Sequence, residues 1–153
     1  MTKAKVENAL LHSSAGVLET MFFAELTPVV EQSQLPAESI ACLLHCSGAA
    51  DGVLSIAVER RTLEQLCASF YGEDETSLRK QEELACELTN MIAGSTLSYL
   101  LPEHCCALSA PQLCSVDRHI GIAANEVQGA QSTQVLMDVE GGVLSATCCL
   151  RIQ

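Results

Sequence analysis

One long helical segment, from about Leu78 to Leu101, constrains the fold of this chain more than any other feature. Apolar residues recur along it with the period of an α-helix. Pro102 ends it, because proline lacks the amide hydrogen that a helix interior requires. We expect one stripe of this helix to face the core. Its members at i, i+4, i+7 and i+11 are Leu84, Leu88, Met91 and Ser95, and Ala85 and Ile92 lie beside them.

The residues before this segment predict two further helices and a hairpin. An amphipathic helix over 6–26 should end before Thr27-Pro28, because the residue before proline avoids the α region. Two strands, 39–46 and 53–58, flank the turn-forming residues 47–52. A second helix is predicted over residues 59–71, and Gly72 is expected to end it. The acidic stretch 73–76 reads as a solvated connection, and Thr76 or Ser77 could cap the long helix.

The residues after the long helix are rich in strand signals. We predict strands over 105–116, 119–127, 133–139 and 143–150. The first of these is interrupted by Pro111 or begins near it. Helices and strands in separate runs favour an α+β fold, with long helices packed on a mainly antiparallel sheet and a terminal meander. Since no linker or low-complexity tract divides the sequence, we expect residues 1–153 to form one domain.

The charge distribution excludes several classes of function. The net charge is −11, and the eight basic residues form no stripe, so neither nucleic-acid binding nor attachment to an anionic membrane is expected. No apolar run is long enough to span a bilayer, and the first residues do not resemble a signal peptide. These observations favour a cytoplasmic protein.

Nine cysteines raise the question of a metal site or a disulfide. No Cys-x-x-Cys occurs, and neither Cys42-His45-Cys46 nor His104-Cys105-Cys106 has a known zinc spacing. Free cysteine behaves as a small buried hydrophobe in a reducing compartment, so no metal is expected. A metalloprotein that uses His104 with Cys105 or Cys106 remains an alternative.

A second stripe on the long helix carries the candidate chemistry. Glu83, Glu87, Asn90 and Gly94 also lie at i, i+4, i+7 and i+11. Asparagine is a mediocre helix former, and a glycine in a helix interior costs about 1 kcal/mol relative to alanine. Two locally unfavourable residues on one stripe indicate a role other than stability, although a solvated face explains the pattern alone slightly better.

The residues 87–94, Glu-Leu-Thr-Asn-Met-Ile-Ala-Gly, resemble the Glu-x-x-Asn signature of the CheC/CheX chemotaxis phosphatases. The family pattern is an acidic residue or serine, three residues, glutamate, two residues, asparagine, and a proline twenty-odd residues later. Glu83, Glu87 and Asn90 match it, and Pro111 follows Asn90 by 21 positions, slightly short of the usual gap.

The resemblance extends to three flanking segments, residues 17–23, 52–58 and 70–72. The family fold has two similar halves, and the first-half counterpart of the motif keeps Glu19 but has Phe22 where asparagine would be needed. One active half resembles the CheX type more than CheC, so Glu19 and Phe22 are interpreted as structural or partner-contacting.

The resemblance implies a phosphatase that acts on the phospho-aspartate of a CheY-like response regulator. Asn90 would orient a water molecule, and Glu87 would pair with the regulator's lysine. Glu83, Gly94 and Pro111 would contact the partner. No cofactor of its own is expected, because the regulator brings Mg²⁺.

The family also implies a homodimer, for which the final strand Val143–Leu150 is a candidate surface. The alternative function is a non-catalytic CheC/FliN-like interaction domain in a signalling or motility complex.

Overall fold

The computed structural model describes residues 1–28, 34–72, 77–125 and 127–152. Within these ranges the chain forms four helices and seven strands, in the order α1 (Lys3–Phe22), β1 (Leu26–Pro28), β2 (Ser39–Gly48), β3 (Ala50–Glu59), α2 (Arg60–Tyr71), α3 (Leu78–Leu100), β4 (Cys106–Leu108), β5 (Gln112–Cys114), α4 (Val116–Ala124), β6 (Gln131–Val139) and β7 (Gly142–Ile152). The predicted connection 73–76 lies outside the described residues, whereas Ser77 caps α3 as predicted.

The strands form one sheet in the order β1-β6-β7-β3-β2-β4, and β5 pairs with β2 beside β4. All of these pairings are antiparallel, so the α+β fold predicted from the sequence is confirmed. The β2–β3 hairpin is tighter than predicted, because Asp51 and Gly52 belong to β3 rather than to a turn. Gly48 permits the tight reversal with a φ of 112°.

Helices α1, α2 and α3 cover one face of the sheet and form the main core with it. The core is aliphatic, as the scarcity of aromatic residues requires, and its fully buried members include Leu10, Leu18, Leu54, Leu63, Leu84, Leu88, Ile92 and Leu144. Each such side chain contributes about 1.5–3 kcal/mol when it leaves water. Helix α1 begins and ends earlier than the predicted range 6–26, and its end is set by Phe23, which adopts a left-handed conformation (φ 53°).

Helix α4 covers part of the opposite face, where the sequence predicted a strand over 119–127. Ser115 caps α4 by accepting a hydrogen bond from the Arg118 amide at 3.0 Å. The two buried residues of α4, His119 and Ile122, lie three positions apart and therefore share one face of the helix. The strand prediction is wrong because alternating isoleucines imitated a period of two, and the predicted meander of consecutive strands is interrupted accordingly.

The His119 imidazole is fully buried and hydrogen-bonded at both nitrogens. Nδ1 lies 2.7 Å from Ser55 Oγ, and Nε2 lies 2.8 Å from Ser145 Oγ. Ser55 donates to the Cys42 carbonyl, and Gln134 donates to Ser145. Burial lowers the pKa of His119 to about 4, so this imidazole is neutral and joins α4 to the sheet.

Strand β7 lies in the interior of the sheet. It pairs with β3 along one edge and with β6 along the other over nearly its whole length. Cys148 and Cys149 point to opposite faces, as expected for a strand, and both are buried. The proposal that Val143–Leu150 forms a dimer surface is wrong, because neither its edges nor its faces are free.

Candidate functional site

Helix α3 holds the candidate site residues on a rigid support. Its first turn is capped by Ser77 Oγ, which accepts from the Lys80 amide at 3.3 Å. Leu84, Leu88 and Ile92 are completely buried, as their spacing predicted. Met91, predicted as core, is only half-buried, and Ser95 is exposed, so the buried face is narrower than the predicted stripe.

Glu87 and Asn90 lie side by side on the solvent side of α3, and both are exposed. Residues three apart on a helix are neighbours, so the carboxylate and the amide can act on one bound molecule. Among the residues that the structure describes, neither side chain makes a hydrogen bond or an ion pair. A partner can therefore engage both groups without breaking a hydrogen bond or an ion pair of the described residues.

Glu83 is in a different electrostatic state. Its carboxylate lies 3.1 Å from Arg79 Nε and 3.5 Å from Lys80 Nζ. Desolvation alone would raise the pKa of Glu83, but the nearby Lys80 and the hydrogen bonds from Arg79 and Lys80 lower it overall. The charge of Glu83 is already compensated within α3, so it is less available to a partner than Glu87.

Gly94 lies one turn beyond Asn90 and is half-buried. A Cβ added at this position would meet Leu108 Cδ1 at 3.9 Å, an ordinary van der Waals separation. Packing within the chain therefore does not require glycine here. The absence of a side chain leaves the surface beside Asn90 open to close approach by another molecule.

Pro111 is half-buried and lies between β4 and β5, the two short strands into which the predicted strand 105–116 divides. Pro111 does not line the surface depression beside Glu87 that is described below. Leu113, two residues later, lines that depression and is 48% exposed.

A surface depression of about 520 Å³ adjoins the N-terminal half of the stripe. It is lined by Tyr71, Arg79, Glu82, Glu83, Cys86, Glu87 and Leu113. Of this lining only Glu83 and Glu87 were predicted from the sequence, and the less polar wall formed by Tyr71, Cys86 and Leu113 was not. Cys86 directly precedes Glu87 and could have been noticed, but the other two residues come from α2 and β5, and no spacing in the sequence brings them to α3.

The first-half counterpart of the motif lacks the pairing of a carboxylate with an amide. Phe22 is buried, and its ring centroid lies 5.5 Å from that of Phe70, whereas Glu19 is exposed on α1. A buried phenylalanine at the position that would need an amide supports a single active half.

The alternative sites considered from the sequence gain no support. Within the described ranges, no group of three or more histidine, cysteine, aspartate or glutamate residues is placed to hold a metal ion. His104 and Cys105 are both exposed.

Among the residues that the structure describes, no helix has the length and apolar character needed to cross a bilayer.

Solved structures with the same fold define the class of this domain. The chain resembles the chemotaxis protein CheX from Vibrio vulnificus, with a TM-score of 0.75 and 19% identity over 99% of each chain. It also resembles a CheC-like superfamily protein from Shewanella sp. PV-4, with a TM-score of 0.69 and 22% identity over 99% of each chain. At these identities the likeness establishes a CheC-like fold.

A third structure with this fold is described as the CheX–CheY–BeF3–Mg²⁺ complex from Borrelia burgdorferi. Its TM-score is 0.64 at 16% identity, over 94% of this chain and 96% of the other. No curated protein matches the sequence.

Residues 40–137 match the family model for the chemotaxis phosphatase CheX. The chain therefore belongs to the CheX chemotaxis phosphatase family, as the sequence resemblance predicted. The matched region contains all of α3, including Glu87 and Asn90.

Proposed function

We propose that this chain removes the phosphoryl group from the phospho-aspartate of a CheY-like response regulator, with Asn90 orienting the attacking water. Membership of a chemotaxis phosphatase family supports the reaction class. The observation that carries the proposal to individual residues is the geometry of α3, where Asn90 is exposed and unpartnered among the described residues. The opposite face of α3 is buried and fixes the position of Asn90, and no described residue competes for its amide, so this side chain suits a positioning role.

The chemistry required of this chain is modest, because an acyl phosphate is already reactive. The Asn90 carbonyl oxygen can accept a hydrogen bond from a water molecule while its NH₂ group donates elsewhere. Water held in line with phosphorus would attack as the aspartate oxygen leaves. An amide is not a general base, so the acceleration comes from orientation, and a hundredfold effect needs only about 2.7 kcal/mol.

Glu87 would hold the regulator in register. Its carboxylate has no ion-pair partner among the described residues and lies one turn before Asn90, where it can form a charge-assisted hydrogen bond with the lysine of a phospho-aspartate site. The depression beside Glu87 offers both an acidic and an apolar wall to the docked protein. Glu83 and Gly94 would contact the partner at either end of this stripe. Pro111 would contact it outside the depression.

The partner class is supported by the Borrelia complex, in which a CheX is bound to CheY. We infer that Mg²⁺ belongs to the regulator and that this chain needs no cofactor of its own. A cytoplasmic location follows from the same partner. The homodimer remains a prediction, and any such contact must use a surface other than β7.

The experiment is to mix the protein with a panel of phosphorylated response regulators and to follow the loss of phosphate. Asn90→Ala and Glu87→Ala should abolish the acceleration seen with the preferred regulator. Ser95→Ala is the matched control, because Ser95 is exposed on α3 but lies off the stripe. The phosphatase proposal fails if no regulator loses phosphate faster, or if Asn90→Ala acts like wild type.

The same experiment separates catalysis from docking. A regulator that binds the protein but keeps its phosphate would identify a non-catalytic interaction domain, which was the alternative considered from the sequence. A domain of that kind does not need an amide at position 90, so Asn90→Ala would then leave binding unchanged.

A further inference from the structure

Two cysteines meet where α3 crosses β2, directly behind the candidate site. The Sγ atoms of Cys42 and Cys86 lie 2.7 Å apart, and both residues are free thiols. A disulfide bond has a length of about 2.05 Å, so the sulfur atoms need to approach by only about 0.7 Å to bond.

Rigid elements hold both cysteines in place. The Cys42 carbonyl accepts a hydrogen bond from Ser55 Oγ at 3.0 Å. Thr89 Oγ1 of α3 donates to the Ala85 carbonyl at 2.8 Å and lies 3.5 Å from the Cys42 carbonyl. Strand β2 is paired with β3 from Ser39 to Cys46. The contact between the two thiols is therefore a fixed feature of the helix–sheet packing rather than an encounter between loops.

The two thiols differ in access. Cys86 is half-buried and lines the depression that also contains Glu83 and Glu87, so a small oxidant in solvent can reach it. Cys42 is completely buried, and this desolvation raises the pKa of its thiol. Cys86 is the thiol that solvent reaches, and Cys42 is the neighbouring thiol that can resolve it, which is the arrangement of a redox-sensitive pair.

We propose that Cys42 and Cys86 form a reversible dithiol–disulfide pair that a peroxide oxidises and that ties α3 to β2 beside Glu87. In the first step Cys86 attacks hydrogen peroxide, which yields a sulfenic acid on Cys86 and one water molecule. In the second step Cys42 attacks the Cys86 sulfur, and the sulfenic oxygen leaves as a second water molecule. The two thiols are oxidised by two electrons and the peroxide is reduced; a dithiol reductant reverses the change by exchange.

The bond would join residues 44 positions apart and would fix the turn of α3 that presents Glu87. This inference concerns the chemistry of the thiols and does not depend on the proposed phosphatase activity. It is tested by the covalent state and the stability of the protein, without a response regulator.

Peptide mapping tests the linkage directly. The folded protein is treated with hydrogen peroxide, remaining thiols are alkylated, and the chain is cut by a glutamate-specific protease. Cleavage after Glu83 and Glu87 releases residues 84–87, whose single cysteine is Cys86. We expect this peptide to be joined to residues 39–59 and to be released by dithiothreitol. Recovery of Cys86 only as a free thiol, or only as an unlinked oxidised residue, would overturn the proposal.

Variants assign the partner and control for folding. Residues 39–59 also contain Cys46, so Cys42→Ala should abolish the linked peptide, whereas Cys105→Ser, at an exposed cysteine, should leave it intact. Peroxide should raise the Tm of the wild type on the order of 5–10 °C, because a long loop is closed, and should leave Cys86→Ser unchanged. An equal response of wild type and Cys86→Ser would also contradict the proposal.

Discussion

Gly94→Ala should make this protein more stable, because the position has room for a methyl group. It should also make the protein less active, because Gly94 lies on the proposed docking stripe. The new methyl group would meet Leu108 Cδ1 at 3.9 Å, so it fits without displacing any atom of the chain. Alanine in a helix interior is favoured over glycine by about 0.8–1.0 kcal/mol. We therefore expect the free energy of unfolding to rise by about 1 kcal/mol, which corresponds to an increase in Tm of roughly 2–4 °C for a domain of this size.

The loss of activity has a separate cause. Gly94 follows Asn90 by one turn on the same stripe, so the methyl group would stand where the phosphorylated regulator approaches. The dephosphorylation rate at subsaturating protein should fall, and the concentration for half-maximal rate should rise. Ser95→Ala, off the stripe, should change neither quantity.

The assay combines urea denaturation with phosphate release from one chosen regulator. A stabilised variant with reduced apparent affinity for the regulator is the expected result. Unchanged activity would show that no partner approaches α3 at Gly94. A destabilised variant would show that the glycine serves the packing of this chain, and the reasoning from the Leu108 separation would then be refuted.

Three further predictions follow from the core, the buried histidine and the acidic stripe. Leu88→Ala, at a completely buried position, should lower the free energy of unfolding by about 2–5 kcal/mol in urea denaturation, with little change in slope. Because the pKa of His119 is lowered to about 4, the unfolded chain binds a proton that the folded chain does not as pH falls from about 6.5 to about 4. Protonation of this histidine in the unfolded chain should therefore lower the free energy of unfolding by about 2 kcal/mol between pH 7 and pH 5. Urea denaturation at the two pH values should show this difference in the wild type. The His119→Gln variant should be less stable but should lose most of the difference between the two pH values. Glu83→Gln should reduce dephosphorylation less than Glu87→Gln does in the same phosphate-release assay, since Glu83 is already paired with Arg79 and Lys80.

The long helix and its two stripes could be predicted from the sequence because a period of 3.6 residues is a local property. The buried spacing of Leu84, Leu88 and Ile92 left Glu87 and Asn90 facing solvent, and the structure agrees. The antiparallel hairpin was predictable for the same reason, although its turn was drawn too wide.

Other features depend on contacts between distant residues and were out of reach. Helix α4 was mistaken for a strand, because its burial is decided by the packing of His119 and Ile122 on the far face of the sheet. The interior position of β7 depends on β6 and β3 pairing along both of its edges. Likewise, no local pattern places Cys42 beside Cys86.

The site is simple in composition but is built from several parts of the chain. Helix α3 supplies the polar groups, whereas Tyr71 from α2 and Leu113 from β5 complete the adjoining depression. Desolvation and the nearby Glu83 raise the pKa of Tyr71, so this residue stays a neutral hydroxyl that can donate a hydrogen bond to a docked protein. A surface of this kind can contact a docked protein beside Asn90, the residue proposed to orient the attacking water.

The most direct test of the account is the dephosphorylation rate of a bound regulator at saturating concentrations of wild type and Asn90→Ala. Saturation removes differences in affinity, so the comparison reports only the step that Asn90 is proposed to promote. A loss on the order of a hundredfold, about 2.7 kcal/mol, with binding retained, is the predicted result. An equal rate for the two proteins would contradict the role of Asn90 and leave α3 as a docking surface alone.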